Sequence, residues 1–169
     1  MPAPQHESQQ SPHVSCAVLT VSDTRTHESD TGGQYILGAL RSSGHEIYAY
    51  EILHDEPERV EKRLRELCAD DHCRAVLLSG GTGIAPRDRT YEAVTAVIEQ
   101  RLDGFGEIFR TLSYEQVGSA AMLSRAVAGV CHQTVVFAMP GSPKAIELAL
   151  NKLILPELPH IAHLLDPGA

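Results

Sequence analysis

The pattern that most constrains the fold is a strand, a loop and a helix repeated four times along the chain. Strand-like apolar runs cover residues 14–22, 45–54, 74–81 and 133–141, and a segment of helical period follows each of them. Such apolar strands escape water only when helices cover both faces of their sheet. The sequence therefore predicts an α/β fold in three layers, an open and mostly parallel sheet with helices on both faces. Residues 105–129 have a less regular pattern, and we assign no element to most of them.

Length and charge limit the remaining choices. The 169 residues are most simply one domain, assigned to residues 14–169, after a disordered tail of residues 1–13. The tail has neither the charged start nor the apolar stretch of a secretory signal, and no apolar run reaches the roughly 18 residues of a membrane span. With a net charge of −8 and no basic cluster, the chain is not expected to bind nucleic acid or a membrane. We expect a cytoplasmic protein whose four cysteines are reduced thiols.

Polar or glycine-rich loops follow all four strands. Parallel strands place their carboxyl ends at one edge of a sheet, and ligands of open α/β sheets bind outside that edge. We therefore expect one site built from four loops, namely Ser22-Asp23-Thr24, Asp55, Gly80-Gly81-Thr82-Gly83 and Pro140-Gly141-Ser142-Pro143-Lys144.

The glycine-rich loop of residues 80–83 lies between a buried strand and a helix. Glycines let backbone N–H groups approach an anion, and the N-terminus of the following helix favours negative charge. The stretch matches neither of two common glycine-rich phosphate signatures, so a tight turn without a ligand is the alternative. The loop around Ser142 and Lys144 is a second candidate for phosphate binding, with simple helix capping as its alternative.

Asp88 follows the glycine-rich loop and is a candidate metal ligand. Mg²⁺ bound with a nucleotide prefers one or two carboxylates in addition to phosphate oxygens, and Asp55 or Asp23 could supply the second carboxylate. The alternative is that Asp88 only complements the dipole of the next helix. Four basic residues could offset phosphate charge in this acidic protein, or else form surface ion pairs: Arg87, Arg89, Lys144 and Arg125.

Most of these residues fall within six motifs in a fixed order: TVSDTR, DTGG, SGGTG-x-x-x-RD-x-T-x-E, GFGE, LSRAVAG and PGSPKA. With these motifs, over about residues 14–155, the chain resembles the MogA/MoaB family of molybdenum cofactor biosynthesis, whose relatives include the G domain of gephyrin. The GFGEIFRTLSYEQVG and FAMPGS segments look closer to the MoaB branch. One departure is Tyr91, where the family often has proline, and we expect Thr90 to cap the helix that starts there.

The resemblance implies that molybdopterin reacts with ATP and Mg²⁺ to give adenylated molybdopterin and pyrophosphate. Molybdopterin is then a substrate, and Mg²⁺ is the cofactor that accompanies ATP. The resemblance gives Asp55 and Asp88 the catalytic and magnesium-binding roles. The other binding residues are Gly80, Gly81, Thr82, Gly83 and Arg87 for the nucleotide, Ser142 and Lys144 in the last loop, and Ser22, Asp23, Asp30 and Thr31 on the pterin side.

Members of the MoaB branch differ in whether they catalyse, so two other functions stay open. One is a non-catalytic protein that binds or delivers molybdopterin, and the other is a nucleotide-hydrolysing relative of the same fold. The resemblance also implies a homotrimer or hexamer, and other proteins of molybdenum cofactor biosynthesis as partners. A compatible surface is an apolar set at near-helical spacing, with core packing as its alternative: Phe105, Ile108, Phe109 and Leu112.

Overall fold

The computed structural model describes residues 13–168, so residues 1–12 of the predicted tail lie outside the described part of the chain. The strands are β1 (Ser15–Val21), β2 (Glu46–Leu53), β3 (Ala75–Ser79), β4 (Gln100–Arg101), β5 (Val127–Cys131) and β6 (Thr134–Met139). They form one six-stranded sheet in the order β2, β1, β3, β6, β5, β4. The first four strands of this order run parallel, whereas β5 is antiparallel to β6 and β4 is antiparallel to β5. The predicted mostly parallel sheet is therefore confirmed.

Helices cover both faces of this sheet. They are α1 (Thr31–Ser42), α2 (Pro57–Cys68), α3 (Thr90–Thr95), α4 (Asp103–Val117), α5 (Pro143–Ala149) and α6 (Leu155–Leu164). A π-helical segment, Leu150–Ile154, joins α5 to α6, and a 3₁₀ helix, Gly118–Leu123, follows α4. Within residues 13–168, no helix has both the length and the apolar character needed to cross a membrane.

Two hydrophobic cores lie on opposite faces of the sheet, as the three-layer prediction requires. Because side chains alternate along a strand, β1 contributes to both cores. Cys16 and Val18 pack into the core of α1, α4, α5 and α6, whereas Ala17 and Leu19 pack into the core of α2 and α3. The two cores fix the parallel strands between helices, so that the carboxyl ends of these strands lie together at one edge of the sheet.

The strand order reverses beside β1. The connection from β1 leads outward to β2, and the connection from β2 returns to β3 on the opposite side of β1. Such a reversal is where open α/β sheets bind their ligands, because the flanking loops diverge there and leave a crevice. The loop after β1 begins at Ser22, and the glycine-rich loop begins at Gly80 after β3. Both therefore lie at the reversal.

The region that we left without elements contains α4, the 3₁₀ helix and β5. Helix α4 buries only a short stripe, and it ends at Gly118, whose φ of 63° is in the left-handed region. Phe105 is 8% exposed and Phe109 is 0% exposed, so both pack in the core. The prediction that they form an association surface is wrong, and core packing is their role. Ile108 of the same set is 51% exposed.

Candidate functional site

Glycine is required at the start of the glycine-rich loop by backbone geometry. Gly80 and Gly81 have φ values of 97° and 69°, in the left-handed region that side chains disfavour. A Cβ on Gly80 would lie 2.4 Å from the carbonyl oxygen of Val21 at the end of β1. The loops after β1 and β3 therefore approach each other more closely than any residue with a side chain would permit.

The carbonyl groups of Gly81 and Thr82 accept hydrogen bonds, and the N–H group of Gly80 donates to Met139 O at 3.0 Å. Thr90 N–H donates to Gly81 O at 3.0 Å, and Arg125 N–H donates to Thr82 O at 2.8 Å. Among residues 13–168, no acceptor takes up the N–H groups of Gly81, Thr82 and Gly83. Successive unpaired N–H groups in a glycine-rich turn form an anion-binding concavity. The loop thus has the backbone groups that phosphate binding needs.

Asp55 and Asp88 approach the glycine-rich loop at two different glycines. A Cβ on Gly81 would lie 3.6 Å from Asp55 Oδ1, and a Cβ on Gly83 would lie 2.7 Å from Asp88 Oδ2. Asp88 Oδ2 also accepts a hydrogen bond from Ala85 N at 3.0 Å, which closes the turn before α3. The structure therefore brings together the two aspartates that the sequence analysis singled out.

The Asp55 carboxyl has an unfavourable environment for its negative charge. Partial burial raises its pKa above the usual range, and the nearby Asp88 carboxylate raises it further. Like charges that face each other in this way favour either a proton or a cation between them. Oxygen ligands of this type suit Mg²⁺.

Asp23 links three loops of the site. Asp23 Oδ1 accepts from Asp55 N at 3.1 Å and lies 3.4 Å from His54 Nδ1. Asp23 Oδ2 accepts from Arg87, whose side chain is 74% exposed. The Asp23 carboxylate therefore orients the loop that carries Asp55, and it pairs with the exposed Arg87 guanidinium beside the site.

Arg125 has a different role from the phosphate contact considered in the sequence analysis. Its Nε donates to Gly83 O at 2.8 Å, and one terminal nitrogen donates to Asp88 O at 2.5 Å. The other terminal nitrogen donates to Glu92 Oε1 at 2.5 Å, which lowers the pKa of Glu92. The guanidinium also lies 5.1 Å from the centre of the Tyr91 ring. Because these contacts use its donors, Arg125 holds the Gly83–Glu92 segment in place and does not reach toward a ligand.

The loop after β6 forms the helix cap that the sequence predicted. Ser142 is the N-cap of α5, its hydroxyl accepts from Ala145 N at 3.3 Å, and Pro143 occupies the first turn. Gly141 contacts Gly80 so closely that a Cβ on Gly141 would lie 3.4 Å from the Gly80 Cα. The exposed Lys144 follows at the same edge. The glycine-rich loop of residues 80–83 and the loop after β6 are therefore in direct contact.

Asp30 lies in the wall of the site as the N-cap of α1. Its Oδ1 accepts from Gly33 N at 2.9 Å, and its Oδ2 accepts from the hydroxyls of Thr20 at 2.6 Å and Tyr50 at 2.7 Å. The carboxyl is 3% exposed, and although burial opposes its charge, these hydrogen bonds lower its pKa overall. Helix α1 therefore begins at Thr31, directly after this capping residue. Contact between Asp30 and a pterin stays a prediction.

Thr90 does not cap α3, so that prediction is wrong. Arg89 is the N-cap residue, it makes no side-chain cap, and Thr90 is already helical. The Thr90 hydroxyl is buried and has no hydrogen-bond partner within residues 13–168. A Cβ on Gly81 would lie 2.2 Å from this Oγ1, so the hydroxyl fills the space under the glycine-rich loop.

Two clefts flank the contact between Gly80, in the loop after β3, and Gly141, in the loop after β6. One has a volume of about 190 Å³ and contains most of the residues assigned to the pterin side, together with glycines of both loops: Ser22, Asp30, Thr31, Gly80 and Gly141. The other has a volume of about 250 Å³ and combines polar loop residues with apolar side chains: Thr82, Gly83, Ser142, Lys144, Phe109, Val117 and Leu123. Asp55, Asp88, Asp23 and Arg87 line neither cleft.

Comparisons with known proteins show the family of this chain. A family described as "Probable molybdopterin binding domain" matches residues 17–160. The molybdenum cofactor biosynthesis protein B of Bacillus subtilis (strain 168) is 51% identical over 162 residues, which cover 95% of this chain and 95% of the relative.

Solved structures show the same fold. A crystal structure of a molybdenum cofactor biosynthesis protein B has a TM-score of 0.89 at 47% identity, over 92% of this chain and 98% of the other. A structure of MogA has a TM-score of 0.81 at 27% identity, over 90% of this chain and 99% of the other. The sequence is thus nearer to these B proteins than to this MogA, in line with the segments that resemble the MoaB branch.

Proposed function

The chain belongs to the molybdopterin-binding domain family, and we propose that it catalyses adenylyl transfer from ATP to molybdopterin. The observation that carries this proposal is the approach of Asp55 and Asp88 to one glycine-rich loop. Within residues 13–168, the N–H groups of residues 81–83 in this loop have no hydrogen-bond acceptor, so they can bind phosphate. A binding domain without catalysis would need the cleft and the loop, but it would have no use for two mutually repelling carboxylates. Their arrangement is what a metal-assisted reaction of a nucleotide requires.

The two carboxylates fit Mg²⁺ by their chemistry. They are hard oxygen donors, and their mutual repulsion contributes to the raised pKa of Asp55. We assign both as the residues that would hold the ion. When bound, Mg²⁺ would neutralise charge on the nucleotide phosphates and on the departing pyrophosphate. His54 and Asp23 support this position through the hydrogen bonds that fix the Asp55 loop.

The reaction needs positioning and charge stabilisation rather than a protein nucleophile. An oxygen of the terminal phosphate of molybdopterin bonds to the α-phosphorus of ATP, while the bond from that phosphorus to the pyrophosphate oxygen breaks. The N–H groups of residues 81–83 are suited to hold the phosphates of ATP. Arg87 and Lys144 supply positive charge at the same edge of the sheet, in a protein whose net charge is −8.

We assign the pterin to the cleft of about 190 Å³ at the start of α1. Its wall contains the hydroxyls of Ser22 and Thr31, and polar groups of this kind can pair with the amino and amide groups of a pterin. Asp30 contributes by fixing the start of α1, since its carboxylate is already hydrogen bonded to three partners. The contact of Gly80 with Gly141 joins this cleft to the phosphate-binding loop.

The experiment that tests the proposal measures pyrophosphate release by purified protein under matched conditions. Complete mixtures contain molybdopterin, ATP and Mg²⁺, and controls omit each component in turn. The proposal expects release only in the complete mixture. Phosphate or pyrophosphate release without molybdopterin would indicate a nucleotide hydrolase. Binding of molybdopterin without any release in the complete mixture would indicate a carrier protein.

A further inference from the structure

A second group of ligand-type side chains lies at the opposite end of the sheet from the glycine-rich loop. Cys131 ends β5, His132 lies in the turn to β6, and Glu99 precedes β4. One ligand atom from each of these three residues lies within 4.8 Å of the others. Because β6 starts next to this turn and ends at the candidate site, the two groups are separated by the length of the sheet.

The backbone holds the exposed members of the group in place. Glu99 N donates to Val130 O at 2.8 Å, and His132 N donates to Glu99 Oε2 at 3.1 Å. His132 Nδ1 lies 3.5 Å from Glu99 Oε1. His132 has a φ of 53°, and it is the one residue other than glycine in the left-handed region among residues 13–168. The turn thus keeps the imidazole beside the carboxylate at a backbone angle that most residues avoid.

The ligand atoms approach this place from two sides. Cys131 is 4% exposed, so its thiol faces the group from the protein interior, whereas His132 and Glu99 are on the surface. A second buried thiol, that of Cys68 at the end of α2, is not among the ligand atoms that lie within 4.8 Å of one another. A cation at this place would therefore meet one sulfur atom from the inside, and one nitrogen and one oxygen from the outside.

From this placement we propose that Cys131, His132 and Glu99 bind a zinc ion. A thiolate, an imidazole and a carboxylate are ligands that Zn²⁺ accepts, with water in the fourth tetrahedral position, whereas Mg²⁺ prefers oxygen ligands alone. On binding, the Cys131 thiol loses its proton to solvent. The ion joins the β5–β6 turn to the residue before β4, so we expect it to stabilise this end of the sheet. The proposal does not depend on adenylyl transfer.

The test uses the full-length protein, stripped of metal by a chelator and kept under a reductant that does not bind metal. Titration with Zn²⁺ is followed by calorimetry, and titration with Co²⁺ is followed by visible absorption and thiolate-to-cobalt charge-transfer bands. We expect one Zn²⁺ per chain, a higher Tm in its presence, and cobalt bands typical of tetrahedral sulfur coordination. Absence of stoichiometric binding, or cobalt spectra without thiolate bands, would overturn the proposal.

Variants locate the site on these residues. His132→Asn keeps a residue that tolerates the left-handed region, and Glu99→Gln keeps the shape of the surface side chain. Each should weaken Zn²⁺ affinity by at least the roughly 10-fold to 100-fold seen when outer-shell partners are lost. Cys131→Ser should remove the charge-transfer bands, and the two surface variants keep the test valid if this one does not fold. The control is His72→Asn, because His72 pairs with Asp70 at 3.1 Å and is not a member of the group. Unchanged affinity in His132→Asn and Glu99→Gln would contradict the assignment.

Discussion

Asp55 and Asp88 approach one glycine-rich loop as like charges, and the Asp88 carboxylate adds to the effect of burial in raising the pKa of Asp55. In the absence of a cation, this arrangement destabilises the folded protein at neutral pH. Asp55 and Asp88 differ in this respect from most surface carboxylates, which pair with a cation or face water. The repulsion between Asp55 and Asp88 also makes the fold and the proposed activity respond in opposite directions to loss of charge.

Asp55→Asn should therefore stabilise the metal-free protein while it impairs adenylyl transfer. Since the pKa of Asp55 is higher in the folded than in the unfolded protein, folding favours the protonated form. Its ionisation lowers the free energy of unfolding as the pH rises from the unfolded pKa through the folded pKa. We expect a higher Tm for Asp55→Asn than for the wild type at pH 7, with no difference below the unfolded pKa. Thermal unfolding measured across this pH range in the presence of a chelator checks the sign, and a lower Tm at pH 7 would contradict it.

Arg125→Ala should loosen the segment that carries Asp88. Arg125 donates to the carbonyls of Gly83 and Asp88, and hydrogen bonds to charged groups contribute about 1.5–3 kcal/mol each. We expect KM for ATP to rise by more than about tenfold, which corresponds to roughly 1.4 kcal/mol. Added guanidinium ion should restore part of the activity, because it can occupy the place of the lost group. Arg41→Ala, at the exposed end of α1, is the control, and equal KM values for the two variants would argue against a positioning role.

Gly81 is required for the conformation of the glycine-rich loop, whether or not a ligand is bound. Gly81→Ala should distort the loop, because the added Cβ would lie 2.2 Å from the Thr90 Oγ1. Gly81 also has a φ of 69°, which alanine disfavours. We therefore expect the free energy of unfolding of Gly81→Ala to be lower than that of the wild type by more than about 1 kcal/mol.

Gly38→Ala is the matched control for this glycine. Gly38 lies within α1, and nothing lies within 4 Å of its added Cβ. The substitution should raise the free energy of unfolding by about 0.4–1 kcal/mol. Chemical denaturation of both variants measures the contrast. Equal stability of Gly81→Ala and the wild type would show that the loop does not require the left-handed conformation.

An apolar surface next to the larger cleft is the place where we expect copies of the chain to associate. Met122 is 78% exposed, and Leu123, Val117 and Tyr114 are at least 43% exposed. Closed rings use two different patches of each subunit, so a charge on one patch should break every contact of that kind. Light scattering should show a trimer or hexamer for the wild type and a smaller mass for Met122→Glu. A wild-type mass near 18.3 kDa would rule out the assembly. Phe109→Glu is unsuitable for this test because Phe109 is in the core.

The sequence predicted the elements whose physical signal is local. Four strands, of which β1, β3 and β6 are buried, follow from apolar runs. The Ser142 cap follows from capping chemistry, and the meeting of four loops follows from the geometry of parallel sheets. Strand β4 could not be predicted, because Gln100 and Arg101 are exposed and their strand character comes from pairing with β5.

Partners that are distant in sequence were also outside the reach of pattern analysis. The sequence offers Arg125 either as a phosphate contact or as a surface ion pair, and only the fold shows that it pairs with Glu92 and donates to the carbonyls of Gly83 and Asp88. Thr90 looked like a cap because it precedes a helical pattern, yet its hydroxyl lies under the glycine-rich loop. Phe109 and Ile108 are adjacent in one apolar set, and the packing of α4 decides which of them is buried. The third motif indicates that Arg87 and Asp88 belong to the candidate site. It holds no information about which residues contact Arg125, Thr90 or Phe109.

The most direct test of the central claim is transfer of labelled AMP to molybdopterin. Purified protein is incubated with molybdopterin, Mg²⁺ and ATP labelled at the α-phosphorus, and the label on molybdopterin is quantified for the wild type, Asp88→Asn and the exposed control Asp71→Asn. Asparagine keeps an acceptor for Ala85 N and removes the repulsion with Asp55, so Asp88→Asn should fold with a Tm at least as high as that of the wild type. We predict stoichiometric labelling by the wild type and the control, and a rate lower by on the order of 10²-fold or more in Asp88→Asn. No labelled molybdopterin with the wild type, or an undiminished rate in Asp88→Asn, would contradict the account.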